Sequence, residues 1–81
     1  MTATLSPAMD RILRGRRLAE LREAAGKSQG QLAKDSKVPQ ATISRIEAGK
    51  QDLKAEHIQA FQPILQCDYE AFFEEPSDAD G

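Results

Sequence analysis

Helix-boundary signals confine the middle of this 81-residue chain to two short helices joined by a tight turn. Ser28 and Gln31 form a Ser-x-x-Gln capping box, in which each side chain bonds the backbone N–H of the other residue at a helix start. Gly26 and Gly49 suit the position that follows a helix, where the backbone turns left-handed. We therefore expect one helix to end before Gly26, a second to begin after Ser28, and a third to end before Gly49.

The third of these helices is predicted to have one buried face and one free face. Pro39 fits the first turn of a helix, where its missing N–H costs nothing, so we expect this helix to run from residue 39 to residue 48. Ile43 and Ile46 lie one helical turn apart on one face. The opposite face carries small or hydrogen-bonding side chains, among them Ser44 and Arg45. Such a face is more typical of contact with a partner than of solvation alone.

Apolar spacing predicts three further helices and no strand. A first helix is expected from Asp10 to Ala25, and a fourth from about Lys54 to Gln66, with Pro63 bending or ending it. The segment DYEAFFEE, capped by Asp68, predicts a short fifth helix. Five short helices with connections of a few residues predict an all-α, five-helix domain.

The chain is expected to form one small domain with loose ends. We predict a flexible arm at residues 1–9, a folded domain at residues 10–74 and an acidic tail at residues 75–81. Within the domain, residues 28–49 combine a short helix, a tight turn and an amphipathic helix. This is the plan of a helix-turn-helix, whose second helix enters the major groove in proteins that bind DNA.

Charge is divided unevenly along the chain. Residues 1–54 carry eleven Lys and Arg and six Asp and Glu, a net charge of +5, whereas residues 55–81 carry seven acids and no base. A basic front and an acidic rear favour an anionic partner on one side, although the same asymmetry also serves solubility. Two interpretations stay open for the cluster at the front, phosphate or minor-groove contact and a solvated face. Its members are Arg11, Arg14, Arg16 and Arg17.

The sequence offers little material for catalysis. It has one histidine, His57, expected on the surface, and one cysteine, Cys67, expected to be a buried, inert thiol. These two residues cannot assemble a nucleophile–base pair or a metal cluster, so we expect no enzyme activity, no metal and no cofactor. An unpaired cysteine, together with the lack of a secretory signal and of a long apolar run, favours a soluble cytoplasmic protein.

The segment LREAAGKSQGQLAKDSKVPQATISRIEAGK resembles the Cro/repressor helix-turn-helix family, also called the XRE family. The resemblance covers roughly residues 15–74. It implies a five-helix, lambda-repressor-like DNA-binding domain that works as a homodimer on a two-fold-symmetric operator. Lys37 departs from the family pattern because it stands where glycine is usual, and a left-handed lysine costs about 1 kcal/mol. Pro39 also departs, since it replaces a serine or threonine helix cap. The matching residues are Leu21, Arg22, Glu23, Ser28, Gln29, Leu32, Ala33, Val38, Ile43, Ser44, Arg45, Ile46, Glu47, Gly49 and Lys50.

The resemblance also implies roles for single residues. The base-reading positions are matched by Gln40, Ala41, Ser44 and Arg45. Their chemistry agrees, because glutamine pairs with adenine, arginine with guanine and serine with either, while an alanine methyl group contacts that of thymine. For Ala41, high helix propensity is nearly as good an explanation. Contacts with the DNA backbone are expected from Gln29, Thr42 and Lys50, and for Gln29 the outermost base pair is the alternative.

Two further sets of residues are assigned to structure and assembly. Arg22 and Glu47 match a family pair that ties the first helix to the end of the third, and we interpret this ion pair as structural. The apolar residues of the rear half are expected to include the dimer interface, the alternative being that all of them belong to the core. They are Ile64, Leu65, Tyr69, Phe72 and Phe73.

Three classes of function stay open on the sequence. The leading hypothesis is a transcriptional regulator, either a homodimeric repressor or a protein like the controllers of restriction–modification systems. The second is an antitoxin that represses its own operon and has a toxin as its protein partner. The third is a protein-interaction module that keeps the fold without reading DNA. The donors on the free face of the third helix argue against the third hypothesis.

Overall fold

A computed structural model describes residues 7–76 of the chain, which form four α-helices and one short 3₁₀ helix with no strand among them. The elements are α1 (Pro7–Ala24), α2 (Gln29–Ser36), α3 (Gln40–Glu47), α4 (Ala55–Leu65) and η1 (Tyr69–Phe73). The predicted all-α class is confirmed. The predicted fifth helix is a 3₁₀ helix rather than an α-helix. None of the helices in this segment is both long and apolar enough to cross a membrane.

The folded part extends further at both ends than the sequence predicted. α1 begins at Pro7, three residues before Asp10, so the last part of the predicted arm is helical. A proline is tolerated there because the first turn of a helix needs no N–H from it. Of the predicted acidic tail, Glu75 is exposed and Pro76 is buried. The rest of the arm, residues 1–6, and of the tail, residues 77–81, lie outside the described residues.

The boundaries of α2 follow the predicted caps, whereas α3 begins one residue after Pro39, with which the sequence predicted it to begin. Ser28 Oγ accepts a hydrogen bond from the Gln31 N–H at 3.1 Å, and Gln31 Oε1 accepts one from the Ser28 N–H at 2.8 Å. The capping box is therefore confirmed. Lys37 has the predicted left-handed backbone, with φ at 65°, and its N–H donates to the Ala33 carbonyl at 2.8 Å. Pro39 occupies the N-cap of α3 and supplies no side-chain bond there.

The core lies where the inner faces of all five elements meet. Its members are large apolar side chains, and fully burying one of them stabilises the fold by about 1.5–3 kcal/mol. The core residues are Leu18, Leu32, Ile43, Ile46, Ile58, Phe61, Leu65 and Phe72. Two members of this set, Leu65 and Phe72, had been assigned to the dimer interface, and that assignment is wrong for both because they are buried within one chain. The sequence could not separate core from surface on such a short aromatic segment.

Close contact between α1 and α3 fixes the position of the free face. Gly15 of α1 lies directly against the backbone of α3, and a Cβ atom at this position would overlap the carbonyl group of Ile46. The two helices therefore approach more closely than any larger residue at position 15 would allow. Through this contact and buried Ile43, the inner side of α3 packs on the domain. The outer side of α3 remains exposed.

The rear helices differ in detail from the prediction. α4 continues through Pro63 to Leu65, because the proline removes only one backbone bond near the helix end. Asp68 occupies the N-cap of η1 without a side-chain cap bond, so its predicted capping role is wrong. His57 is 9 % exposed rather than on the surface. Its Nδ1 accepts a hydrogen bond from the Lys54 N–H at 3.1 Å, which satisfies a free donor at the start of α4.

Candidate nucleic-acid interface

The free face of α3 carries the four side chains that the sequence assigned to base reading. They are Gln40, Ala41, Ser44 and Arg45, and all four are exposed. On the opposite side of the same helix, Ile43 and Ile46 are fully buried. Six of the eight residues of α3 thus form an inner pair of isoleucines and an outer face of small and hydrogen-bonding groups, while Thr42 and Glu47 are partly buried between the two faces. We call these four residues the α3 outer face.

Within residues 7–76, Arg45 is the one residue of the α3 outer face whose side chain forms a hydrogen bond. Its Nε donates to Oε1 of Gln51 at 2.9 Å. Gln51 lies half-buried in the loop after α3 and was missed by the sequence interpretation. The available signal was Gly49, because a left-handed glycine after a helix reverses the chain and returns the following residues toward the last turn.

A buried ion pair joins α3 to α1. Arg22 Nε donates to Glu47 Oε2 at 2.8 Å, and Arg22 Nη2 donates to Oε1 of the same carboxylate at 3.0 Å. The two side chains are 12 % and 8 % exposed. Arg22 Nη1 also donates to the Lys27 carbonyl at 2.8 Å. The hydrogen bonds to Glu47 raise the pKa of Arg22, which favours the charged guanidinium.

The same carboxylate also holds the start of α2. Gln29 Nε2 donates to Glu47 Oε1 at 3.0 Å. One N–H of the Gln29 amide is therefore used inside the domain, and its second N–H and its oxygen remain for other contacts. Glu47 thus links α1, α2 and α3 through a single side chain. The sequence interpretation had assigned Gln29 to a contact with DNA and had not predicted this contact within the domain.

Lysines without an ion pair in the described part of the chain lie on α2 and on both sides of α3 in the sequence. Lys34 on α2, Lys37 in the turn and Lys50 after α3 are exposed, and none of them forms an ion pair within residues 7–76. Thr42, a predicted backbone contact, is half-buried on the side of α3. Exposed lysines without an ion pair are suited to contacts with the phosphate groups of a nucleic acid.

The arginine cluster on α1 is largely used inside the domain. Arg11 Nε pairs with Asp52 Oδ1 at 2.9 Å, and Arg14 Nη1 donates to the Phe72 carbonyl at 3.3 Å. Arg17 donates to three acceptors: the Ala71 carbonyl at 2.6 Å, Glu20 at 3.1 Å and Glu74 at 2.9 Å. Of the cluster, Arg16 alone is classed as exposed. Most of the cluster therefore fits neither of the two interpretations left open on the sequence.

An exposed aromatic pair lies at the rear of the domain. Tyr69 and Phe73 of η1 are 40 % and 46 % exposed, and their ring centroids are 5.3 Å apart. The Arg14 guanidinium lies over the Phe73 ring at 5.3 Å, within cation–π range. Ile64, also predicted at the dimer interface, is half-buried against the core. Of the five residues predicted for that interface, Tyr69 and Phe73 are the exposed ones.

A shallow cleft of about 550 Å³ separates the ends of α1 and α4. It is lined by Leu21, Ala24, Ala25, Lys27, Ile64, Leu65, Gln66 and Cys67. Cys67 is half-buried there, and burial raises the pKa of its thiol. The thiol is therefore protonated near neutral pH, which disfavours its reaction as a nucleophile.

Residues 15–70 match the family model of a helix-turn-helix domain. Because this match covers more than half of the chain, the protein belongs to that family, which is typical of XRE-like DNA-binding regulators. The resemblance drawn from the sequence is confirmed. The protein is a DNA-binding regulator of the helix-turn-helix class. No curated protein is similar enough in sequence to count as a relative.

Proposed function

We propose that the protein is a sequence-specific repressor of transcription that binds double-stranded DNA as a homodimer and reads the major groove with α3. The main support is the α3 outer face, where four exposed side chains lie over two fully buried isoleucines. A helix with this arrangement can place its exposed side chains in a DNA groove while its inner face stays packed on the domain. The major groove of B-DNA is about 12 Å wide and admits one α-helix.

Base reading follows from the donors and acceptors of the α3 outer face. Gln40 at the start of α3 has an amide that matches the N6 and N7 groups of adenine, and Arg45 has the paired donors that match O6 and N7 of guanine. Ser44 accepts or donates, and the Ala41 methyl group suits a thymine methyl. Each good pair would discriminate against the wrong base by about 1–3 kcal/mol.

Backbone contacts would set the register of α3 on the duplex. Lys34, Lys37 and Lys50 supply charge around the groove, and Gln29 has a second amide N–H free for a phosphate at the start of α2. Thr42 adds a hydroxyl on the flank of α3. Because such contacts release counterions, the affinity should fall steeply as salt rises.

Dimerisation would use the exposed pair Tyr69 and Phe73, with Ile64 beside the core as a further contact. These rings leave apolar area uncovered on a small domain, and a second copy would bury it. Two copies related by a two-fold axis would place their α3 helices about 34 Å apart, one turn of DNA. The operator would then be two-fold symmetric.

The same aromatic pair also supports a second candidate, an antitoxin that represses its own operon. The surface around Tyr69 and Phe73 carries exposed acids, including Asp68, Glu70 and Glu74. An acidic rim around exposed rings would suit a basic protein partner. In that case Phe73→Ala would abolish capture of the partner while leaving the oligomeric state in solution unchanged.

The proposed function is tested by selecting bound sequences from random duplex DNA. The wild-type protein should enrich a two-fold-symmetric site, and Arg45→Ala should relax the preference at one position in each half. Sedimentation of wild type and of Phe73→Ala tests the dimer, which the substitution should weaken. If the wild type enriches no sequence at moderate salt, the proposed function is wrong.

A further inference from the structure

The side chain most suited to reading guanine is already held in place before DNA is present. Arg45 lies on the exposed side of α3, where a long side chain would normally sample many rotamers. Its Nε instead donates to Gln51 Oε1 at 2.9 Å. Gln51 lies six residues later in the chain, outside the helix and outside the α3 outer face.

Gln51 is itself fixed by the turn that precedes it. The Gly49 N–H donates to the Ile46 carbonyl at 3.0 Å, and the Lys50 N–H donates to the Arg45 carbonyl at 2.9 Å. These two bonds define a Schellman motif, which requires the left-handed backbone found at Gly49, with φ at 77°. A side chain at Gly49 would also meet Ile12, because a Cβ atom would lie 2.8 Å from its Cγ1.

The residue after Gln51 is tied to the domain as well. Asp52 Oδ1 pairs with Arg11 Nε of α1 at 2.9 Å. Gln51 thus lies between a helix-terminating turn and an ion pair with a different helix. The backbone of this loop is held by the turn before Gln51 and contacts α1 through an exposed ion pair after it, which limits the positions open to the Gln51 amide.

From this geometry we infer that Gln51 is a positioning residue that sets how Arg45 reads DNA, an inference that rests on the proposed function. A guanidinium has two edges that present paired donors, one formed by Nε and Nη2 and the other by both Nη atoms. With Nε bonded to Gln51, the Nη1–Nη2 edge is the one left for O6 and N7 of guanine. By holding Arg45 before DNA binds, Gln51 also lowers the conformational entropy that Arg45 loses on binding.

The choice of glutamine at position 51 fits this role better than an acid would. A neutral amide accepts one hydrogen bond and leaves the full charge of Arg45 available to the base and to nearby phosphates. A carboxylate at the same place would bind the guanidinium more strongly, compete with guanine for its donors and repel the DNA backbone. Gln51→Glu is therefore expected to weaken specific binding more than Gln51→Ala does.

The test uses the full chain and the DNA site selected by the wild type. The base pair that Arg45 reads is identified as the position at which Arg45→Ala loses its preference. Dissociation constants are then measured for the selected site and for a duplex changed at that base pair alone. The proteins compared are wild type, Gln51→Ala, Gln51→Glu, Arg45→Ala and the double variant Arg45→Ala/Gln51→Ala. Gln59→Ala, at an exposed position on α4, is the matched control.

Gln51→Ala should reduce discrimination at this one base pair by about three- to tenfold, which is the range expected when one rotamer-rich side chain must be ordered on binding. Discrimination at other positions and the melting temperature should stay unchanged, as should every value for Gln59→Ala. The double variant should bind no worse than Arg45→Ala, since Gln51 acts through Arg45.

Two results would overturn the inference alone while leaving the proposed function intact. One is that Gln51→Ala keeps its discrimination at that base pair within about twofold of wild type while Arg45→Ala loses it. The other is that the Gln51→Ala effect persists undiminished in the Arg45→Ala background. If the wild type selects no sequence, the proposed function fails and the inference fails with it.

Discussion

α1 and α3 both carry arginine, but the two helices use it in opposite ways. Of the five arginines in α1, four donate hydrogen bonds to acceptors inside the domain: Arg11, Arg14, Arg17 and Arg22. α3 has a single arginine, Arg45, and it is exposed on the face turned away from the core. The helix with more arginines is therefore the one whose arginine donors are more fully used within the domain.

The difference shows that counting basic residues does not locate a DNA-binding surface. An arginine whose donors already bond main-chain carbonyls and carboxylates has little left to offer a phosphate or a base. Arg17, for example, bonds Ala71, Glu20 and Glu74 and so ties α1 to the rear segment. Arg45 keeps its Nη donors free, because its one bond is made through Nε. The contrast between inward and outward arginines makes four predictions.

The largest effect is expected at the inward pair Arg22–Glu47. Removing either partner by Arg22→Ala or Glu47→Ala leaves a buried charge without its main counter-ion, which should lower the free energy of unfolding by about 3 kcal/mol. Urea denaturation measures the change. The matched control is Glu23→Ala, whose carboxylate is exposed and lies 3.8 Å from Arg22. It should cost no more than about 0.5 kcal/mol, and equal costs for Glu23 and Glu47 would refute the structural role of the pair.

The next effect concerns DNA rather than stability. Arg45→Ala should weaken binding by about 10- to 100-fold for each half-site, because each copy loses one bidentate base contact, and should leave the unfolding free energy unchanged within about 0.5 kcal/mol. Titration of a labelled duplex measures the affinity. Arg16→Ala is the control, since Arg16 is an exposed arginine of α1. If Arg16→Ala weakens specific binding as much as Arg45→Ala does, the proposed difference between α1 and α3 is wrong.

A smaller change is expected for Arg17→Ala. Its side chain is 16 % exposed and bonds the rear segment, so its loss should destabilise the domain by about 1–2 kcal/mol without altering base preference. Thermal unfolding and a repeat of the DNA selection measure the two properties. If Arg17→Ala instead changes the selected sequence and leaves stability intact, Arg17 belongs with the arginines that contact DNA.

The smallest effect is expected at Arg11, whose ion pair with Asp52 is the most exposed of the long-range pairs on α1. The side chains are 31 % and 65 % exposed, so Arg11→Ala should change the unfolding free energy by no more than about 0.5 kcal/mol, and this change should vanish at high salt. Urea denaturation at two salt concentrations provides the measurement. A loss above about 1 kcal/mol would show that the pair is more than a surface contact.

Much of the helix-turn-helix was predictable because its signals are local. The capping box at Ser28 and Gln31 and the left-handed residue at Lys37 each depend on neighbours within a few positions of the sequence. The burial of Ile43 and Ile46 follows from helical periodicity alone. The exposure of the α3 outer face follows from the same periodicity.

The parts that sequence reasoning missed depend on distant contacts. Whether Phe72 or Phe73 is buried is decided by α1 packing on η1, and no local pattern distinguishes two adjacent phenylalanines. The bond from Gln29 to Glu47 joins residues 18 positions apart. Tertiary packing overrode the local pattern in each case.

Nuclear magnetic resonance during titration of the selected duplex into isotopically labelled protein tests the central claim most directly, since it reports contacts residue by residue. Backbone signals of the α3 outer face and the Arg45 Nε–H signal should shift or broaden at the first additions of DNA. Signals of Tyr69, Phe73 and the inward arginines of α1 should change little. If the changes concentrate on α1 or η1 and spare the α3 outer face, α3 is not the helix that reads DNA.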